Sequence, residues 1–322
     1  MRETPKEGDR MALKRATVEA SDPTNRLSDM SDNERAAQRL PEWLRRPIAQ
    51  PGQAISVAHM LEELDLHTVC QSAKCPNRGE CFANGTATFL IMGDACTRGC
   101  RFCAVDTRQP APLDPDEPRR VAEAATRLGL AHVVVTTVTR DDLPDGGAAH
   151  FVAVIEALRQ AAPNVAVEVL TSDFAGRLQS VDTVAAARPD VFNHNVETVP
   201  RLYESVRPGA DFSRSLQVLA RVRETQPDLP TKSGLMLGLG ETPDEVRGVM
   251  RELLGSGVRM LTLGQYLRPS LALLPVAEFV APEVFAELER DALELGFSAV
   301  ASAPYVRSSY HAGELAETNG AS

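Results

Sequence analysis

Short apolar runs alternate with longer stretches of helical periodicity over most of the chain. The runs that predict strands cover residues 87–92, 132–138, 165–170, 190–195, 232–237 and 260–265. The stretches that predict helices cover residues 117–128, 147–161, 175–187, 211–225, 242–255 and 282–295. Each strand run is followed by a helix stretch, and this order is typical of parallel βα units.

The strand runs are almost continuously apolar, which favours a sheet that is covered on both faces. The pattern therefore predicts an α/β fold, and both an open doubly wound sheet and a curved barrel fit it. In either fold, functional residues are expected at the carboxyl ends of the strands. Residues 238–240 read Gly-Leu-Gly, but Pro243 stands where a dinucleotide-binding loop has its third glycine. We interpret this segment as a tight turn, with Thr242 and Glu245 forming a capping box on the next helix.

The chain divides by composition into four segments. Residues 1–40 are polar and lack sustained periodicity, so they are expected to form a disordered leader. Residues 41–85 form an N-terminal extension that carries three cysteines, residues 86–302 form the core of βα units, and residues 303–322 form a C-terminal tail.

Charge and hydropathy narrow the class of protein. The chain has 322 residues, with 34 Lys and Arg against 44 Asp and Glu, giving a net charge of −10. This acidic balance predicts no nucleic-acid partner. No apolar run approaches the ~18 residues of a membrane span, so no membrane association is expected. The first thirty residues contain acidic side chains and no apolar core of a signal sequence, which predicts a cytoplasmic location.

The six cysteines fall into two groups of three. Cys70, Cys75 and Cys81 have the spacing C-x4-C-x5-C, whereas Cys96, Cys100 and Cys103 have the spacing C-x3-C-x2-C. Disulfides are disfavoured without a secretion signal. Structural zinc prefers four Cys or His ligands, although His67 or His59 could complete the first group. Three closely spaced thiolates suit a four-iron cluster that keeps one iron open.

The second triplet follows the first predicted strand, where a βα fold places its active site. Gly93 and Gly99 let the backbone of this loop wrap closely, and Phe102 can shield a cluster from water. The loop resembles the motif of the radical S-adenosylmethionine (radical SAM) superfamily. The rest of the chain, roughly residues 43–313, is similar to the lipoyl synthase family. The stretches that carry this similarity are residues 67–81, 139–147, 193–199, 206–211, 232–242, 265–270 and the Arg-Ser-Ser-Tyr motif at 307–310.

The resemblance implies a partial (β/α)6 TIM-like barrel of the radical SAM type, with N- and C-terminal extensions packing at the barrel mouth. It implies two [4Fe–4S] clusters and S-adenosylmethionine as cofactors. The first cluster, at Cys96, Cys100 and Cys103, would bind S-adenosylmethionine and give a radical that removes hydrogen from unactivated carbon. The auxiliary cluster, at the triplet of Cys70, Cys75 and Cys81, would give sulfur to C6 and C8 of a protein-bound octanoyl chain.

The tail motif supplies a further ligand in this resemblance. A serine oxygen on the fourth iron of the auxiliary cluster would be a harder ligand than a thiolate and would leave that iron labile. We favour Ser309 over Ser308 for this role. Without the resemblance, the tail reads as a turn capped by hydroxyl groups.

Other polar residues at predicted strand ends are candidates for contact with S-adenosylmethionine. Asp141 follows the second strand; its segment fits either a solvated turn that caps the next helix or, as in the superfamily, a contact with the methionine end of the cofactor. Asn193, Asn195 and Glu197 end the fourth strand and are assigned to the ribose hydroxyls. Arg207 is a candidate for the carboxylate, because its guanidinium group can bind carboxylates through two hydrogen bonds, and a surface ion pair fits the sequence equally well. His194 is expected to be a core residue.

The family also implies partners. They are octanoylated lipoyl-domain proteins (E2 subunits of 2-oxoacid dehydrogenases and the H protein of glycine cleavage), a low-potential electron donor such as flavodoxin or ferredoxin, and an iron–sulfur carrier for cluster repair. Residues 271–273 read Leu-Ala-Leu where the family usually has a basic residue and a histidine. Two alternatives remain: another radical sulfur-inserting enzyme, of the biotin synthase or methylthio-transferring kind, and an iron–sulfur scaffold or electron carrier.

Overall fold

A computed structural model describes residues 40–45, 52–73, 75–83, 88–310 and 312–320. The chain divides into two units, Met1–Arg45 and Arg46–Ser322. Within the first unit, the structure describes a single 3-10 turn, Glu42–Leu44, which starts where the Leu44 N–H donates to the Pro41 carbonyl. The predicted leader lies outside the described residues, except for Leu40.

The second unit is built on a mostly parallel sheet. Its strands in chain order are β1 (His67–Thr68), β2 (Thr88–Ile91), β5 (His132–Thr137), β6 (Ala166–Leu170), β7 (Val191–Asn193), β8 (Thr231–Leu237), β9 (Met260–Gln265) and β10 (Ala299–Ser302), while β3 (Ala95–Cys96) and β4 (Asp106–Thr107) form a separate pair. The strands lie in the sheet in the order of the chain, and β1 at one edge is antiparallel to β2. This arrangement is a partial TIM barrel, as expected.

Helices precede, connect and follow the strands of the sheet. In chain order they are α1 (Gly52–Glu63), α2 (Val69–Ser72), α3 (Arg78–Ala83), α4 (Glu117–Leu128), α5 (Ala148–Ala161), α6 (Leu178–Ala186), α7 (Tyr203–Val206), α8 (Phe212–Thr225), α9 (Pro243–Gly255), α10 (Pro282–Leu295) and α11 (Ala312–Gly320), with 3-10 turns at Phe174–Gly176 and Pro200–Leu202. The outward side chains of the strands and the facing sides of these helices form two apolar clusters.

The capping box that the sequence predicts is present at the start of α9. The Thr242 hydroxyl accepts a hydrogen bond from the Glu245 N–H at 3.3 Å, and the Glu245 carboxylate accepts one from the Thr242 N–H at 2.8 Å. Two backbone donors at the helix N-terminus are thereby satisfied. The preceding turn is tight because Gly238 and Gly240 both have positive φ, 93° and 112°.

The C-terminal tail reaches both ends of the barrel. Its first part follows β10 at the carboxyl ends of the strands, where the Gln265 N–H donates to the Pro304 carbonyl at 3.2 Å. Its last helix, α11, lies at the opposite end, because Leu315 packs against the first residues of β7, β9 and β10. The expectation that the whole tail packs at the barrel mouth is therefore corrected for α11: Leu315 covers apolar side chains at the barrel floor.

Candidate active site

A cavity of about 470 Å³ opens at the carboxyl ends of the strands. Five of the six cysteines line it: Cys70, Cys75, Cys96, Cys100 and Cys103. The sixth, Cys81, belongs to α3 and is not among the lining residues. Members of both triplets, which are separated in sequence, thus face one space at the end of the barrel where the βα pattern placed the active site.

Backbone groups approach the cysteines of the 96–103 loop. The Cys96 sulfur accepts hydrogen bonds from the N–H groups of Arg98 at 3.4 Å and Thr139 at 3.3 Å. Burial raises the pKa of the Cys103 thiol to about 12 and also raises the pKa of Cys100. Because iron binds the thiolate, cluster assembly at this loop must release protons.

Asp141 lies beside this loop but does not line the cavity. Its carboxylate accepts two hydrogen bonds from Arg98, at 2.7 and 2.9 Å, so it is occupied by a residue of the cluster loop. Arg98 also pairs with Asp173 at 2.7 Å. Burial alone would raise the pKa of Asp173, but the Arg98 guanidinium outweighs it, and the pKa is lowered to about 2. Asp141 therefore holds Arg98 in this structure, and its assignment to the cofactor stays a prediction.

The first triplet spans two short helices. The Thr68 hydroxyl caps α2 by accepting the Gln71 N–H at 3.3 Å, and Cys70 lies within this helix. Backbone hydrogen bonds then fold the segment back on itself, from the Cys75 N–H to the Cys70 carbonyl at 3.1 Å and from the Cys81 N–H to the Asn77 carbonyl at 2.9 Å. Burial raises the pKa of the Cys70 thiol.

Two hydrogen bonds join the tail to this triplet. The Asn77 amide donates to the Tyr305 carbonyl at 2.7 Å, and the Tyr310 hydroxyl donates to the Glu80 carboxylate at 2.9 Å. Ser309 lies between the two tail residues and lines the cavity. The structure therefore brings the Arg-Ser-Ser-Tyr motif next to the first triplet, across more than two hundred residues of sequence.

The two serines of the motif differ in their contacts. The Ser308 hydroxyl accepts a hydrogen bond from the Asn195 amide at 2.7 Å. No hydrogen bond joins the Ser309 hydroxyl to any residue that the structure describes. The tail enters the barrel past two glycines: a Cβ at Gly264 would stand 2.1 Å from the Val306 carbonyl oxygen, and one at Gly234 would stand 3.2 Å from the Ser308 hydroxyl.

The end of β7 supplies polar groups to the opposite wall of the cavity. Asn195 donates to Glu197 at 3.2 Å, and Glu197 has a φ of 66°, which a residue other than glycine rarely adopts. Arg207 donates to the carbonyls of Asn195 and Val196, and its Nε has no partner among the described residues. Burial raises the pKa of the Glu197 carboxyl, although Arg207 opposes this shift. Asn195, Glu197 and Arg207 all line the cavity.

Asn193 and His194, expected as a cofactor contact and a core residue, are both buried at the end of β7. Asn193 is the last residue of β7, and its amide donates to Glu168 at 2.8 Å within the barrel, so it does not line the cavity. His194 lines the cavity instead. Its Nδ1 contacts the Thr171 carbonyl at 2.9 Å, which makes Nδ1 the donor and leaves Nε2 as an unpartnered acceptor. Burial, assisted by Arg207, lowers the pKa of His194 to about 4. The sequence feature that could have shown this is the end of the strand, because side chains no longer alternate in direction beyond it.

The lining residues fit a polar cofactor beside a cysteine triplet. Buried atoms without a hydrogen-bond partner include Thr171 Oγ1, His194 Nε2, Asn195 Oδ1 and Arg207 Nε. Buried polar atoms are normally paired, so this group indicates a ligand that offers both donors and acceptors. In the described residues, no three His, Cys, Asp or Glu side chains are gathered to hold one metal ion. Thiolates of a cubane each bind a separate iron and stand farther apart.

Comparison with known proteins identifies the class. The model of the radical SAM superfamily matches residues 90–253. Solved structures with a similar fold include HydG, a maturase of the [FeFe]-hydrogenase (TM-score 0.51, 16% identity, 78% of this chain and 63% of that one), and methylornithine synthase PylB (TM-score 0.50, 13% identity, 84% and 74%). The chain is a radical SAM protein, and this class uses a [4Fe–4S] cluster with S-adenosylmethionine.

Curated relatives narrow the class to one family. The chain is 57% identical to a lipoyl synthase of Methylococcus capsulatus over 282 residues, which are 87% of this chain and 88% of the relative. It is 58% identical to one of Caldanaerobacter subterraneus (85% and 96%) and 50% identical to one of Bordetella avium (95% and 95%). The chain belongs to the lipoyl synthase family, so the predicted family, barrel and sulfurtransferase class are confirmed. No described helix is both long and apolar enough to cross a bilayer.

Proposed function

We propose that this chain inserts two sulfur atoms, at C6 and C8, into an octanoyl group carried on a lysine of a lipoyl-domain protein. The observation that carries the proposal is the single cavity lined by cysteines of both triplets. A radical site and a sulfur source must reach the same carbon atoms, and a shared cavity permits this. Two C–H bonds are broken and two C–S bonds are formed on one octanoyl chain.

Cys96, Cys100 and Cys103 hold the radical cluster in this proposal. When bound there, the cluster and S-adenosylmethionine supply a radical able to remove hydrogen from an unactivated carbon. Arg207 offers its unpartnered Nε to the carboxylate of the cofactor, and His194 Nε2 accepts a hydrogen bond from a donor on it.

A second cluster at Cys70, Cys75 and Cys81 is the proposed sulfur source, with Ser309 as its fourth protein ligand. The two hydrogen bonds from the tail to Asn77 and Glu80 support this assignment, because they hold Ser309 beside the triplet. The free hydroxyl of Ser309 supports it over Ser308, whose hydroxyl is engaged by Asn195. The segments 41–85 and 303–322 would then act together, although they are far apart in sequence.

The remaining lining of the cavity suits an alkyl chain. Leu90, Val138, Leu170, Met236 and Leu267 all contribute to it. Apolar side chains of this kind bury an eight-carbon chain favourably, at ~0.8 kcal/mol for each CH₂ group. They also exclude water from a site where a carbon radical must survive until sulfur reaches it.

The proposed partners follow from this reaction. The proposed substrates are octanoylated E2 subunits of 2-oxoacid dehydrogenases and the H protein of glycine cleavage, and the proposed location is the cytoplasm. A low-potential donor, flavodoxin or ferredoxin, would deliver the electrons. An iron–sulfur carrier would rebuild the second cluster after each turnover, because its sulfur is consumed.

Anaerobic turnover of an octanoyl-lysine peptide tests the proposal. The reconstituted protein is reduced with S-adenosylmethionine present, and the peptide is examined by mass spectrometry. We expect the peptide to gain the mass of two sulfur atoms, because each of two C–H bonds becomes C–SH under reducing conditions, with 5′-deoxyadenosine as the second product. An electron carrier would yield no deoxyadenosine. A different sulfur-inserting enzyme would cleave the cofactor and leave the peptide unchanged.

A further inference from the structure

The loop of the radical triplet begins at a strained residue. Met92 directly follows β2, four positions before Cys96, and its φ of 68° lies in the left-handed region. A residue other than glycine keeps this conformation only when its surroundings hold it there. Met92 is buried, and both of its backbone polar groups are engaged by side chains distant in sequence. The strain at Met92 is therefore held by tertiary contacts.

A buried Glu–His pair binds the backbone N–H of Met92, at the corner where the chain leaves β2 for the cysteine loop. The Glu117 carboxylate, at the start of α4, accepts the Met92 N–H at 2.9 Å. The same oxygen contacts His150 Nε2, on α5, at 2.6 Å, and both side chains are buried. The Met92 side chain is confined as well, because a Cβ at Gly147 would stand 2.2 Å from its sulfur. Two helices thus fix the residue where the loop leaves the sheet.

Residues 139–141 hold the other side of the loop at three points. Arg140 donates to the Met92 carbonyl at 3.0 Å, Thr139 donates its N–H to the Cys96 sulfur at 3.3 Å, and Asp141 accepts from Arg98. Arg140 is itself fixed by Asp142 at 2.9 Å and is buried. The position of Met92 relative to Arg140 therefore determines how Cys96 meets the Thr139 N–H.

We propose that Glu117 and His150 are positioning residues for the radical cluster. They act through Met92, keeping the left-handed corner in place so that the Thr139 N–H points at the Cys96 sulfur. Hydrogen bonds to the sulfurs of a cluster stabilise its reduced form and raise its reduction potential. The inference rests on the proposed role of Cys96, Cys100 and Cys103, but it concerns residues that do not line the cavity.

The test is a reductive titration of the reconstituted full chain, followed by electron paramagnetic resonance. The radical cluster is recognised as the signal that changes when S-adenosylmethionine is added. Glu117→Ala should move its potential to a more negative value and speed the release of its iron to a chelator severalfold. Glu117→Gln keeps an acceptor for the Met92 N–H and should restore the parent potential. His150→Ala should give a smaller shift in the same direction, and it serves if Glu117→Ala fails to fold.

A matched control separates positioning from general loosening. Leu288→Ala truncates a buried side chain of α10, in the apolar cluster of the second half of the barrel. It should lower the melting temperature and leave the potential of the radical cluster unchanged. The proposal is overturned if Glu117→Ala leaves the potential unchanged, or if Leu288→Ala shifts it equally. If no signal responds to S-adenosylmethionine in the parent protein, the cluster assignment itself fails, which is a distinct outcome.

Discussion

The two cysteine triplets face one cavity but are held in different ways. The 96–103 loop is fixed by ion pairs from Arg98 to Asp141 and Asp173, by hydrogen bonds to the Cys96 sulfur, and by the corner at Met92. The first triplet lies on two short helices and the turn between them, and Asn77 and Glu80 of this segment are tied to the tail by one amide and one hydroxyl hydrogen bond. The difference fits the proposed roles: one cluster is retained through many turnovers, whereas the other is dismantled and rebuilt.

The largest expected effect follows loss of the cysteine triplet in the 96–103 loop. Replacing Cys96, Cys100 and Cys103 with alanine should halve the iron from the ~8 atoms of two four-iron clusters. It should also abolish cleavage of S-adenosylmethionine, because only a cluster with an open iron can bind the cofactor. Iron analysis and a deoxyadenosine assay measure these effects. Persistent cleavage by the triple variant would refute the radical assignment.

Loss of the first triplet should separate cleavage of S-adenosylmethionine from sulfur insertion. With alanine at Cys70, Cys75 and Cys81, deoxyadenosine should still form, since the radical cluster lies on a different segment. Sulfur insertion should stop, as measured by mass spectrometry of the octanoyl-lysine peptide. A lipoyl product from this variant would rule out the auxiliary cluster as the sulfur source.

Substitutions of Ser309 test the proposed lability of the auxiliary cluster, and their expected effect is smaller. Thiolate is a soft ligand that matches iron–sulfide bonding, so Ser309→Cys should slow iron release to a chelator and slow product formation. Ser309→Ala should speed iron release. The control is Ser308→Ala, which removes the contact with Asn195 and should leave the ligand set intact. If only Ser308→Ala alters turnover, the ligand is Ser308.

The smallest expected effect concerns the Arg98–Asp173 ion pair, which holds the 96–103 loop. The pKa of Asp173 is lowered from 3.8 to about 2, so its pairing with Arg98 stabilises the folded state above pH 4. This stability is lost as the pH falls through 2, and at 1.36 kcal/mol for each pKa unit it is about 2 kcal/mol. Asp173→Asn should lower the free energy of unfolding by about that amount at pH 7. Denaturant titrations at pH 7 and near pH 2 check this, because the difference between parent and variant should shrink at the lower pH.

The sequence predicted the parts of the fold that depend on local pattern. Strand β9 and helices α4 and α10 have the predicted bounds, since apolar period and flanking breakers determine them. The strand predicted at 190–195 ends at Asn193, and β10 was missed because Ala-Val-Ala-Ser is a weak apolar run.

Contacts between distant segments could not be read from the sequence. The pairing of Asp141 with Arg98 and the support of Met92 by Glu117 both join side chains far apart in the chain, and neither leaves a local signal.

The motifs single out the cysteines and serines, and the assignment of these residues as cluster ligands stays a prediction. Asn195, Glu197 and Arg207 line the cavity as expected. Asn193 does not, and His194 does, because which of these side chains face the cavity depends on where β7 ends.

The central claim is that sulfur passes from the protein's own auxiliary cluster to the octanoyl chain. Labelling tests it most directly. The protein is reconstituted with ³⁴S-sulfide, freed of excess sulfide, and given an octanoyl-lysine peptide in a single turnover with unlabelled sulfide in solution. The account predicts that both sulfur atoms of the product carry the label. A product with two unlabelled sulfur atoms would contradict it, because the sulfur would then have come from solution.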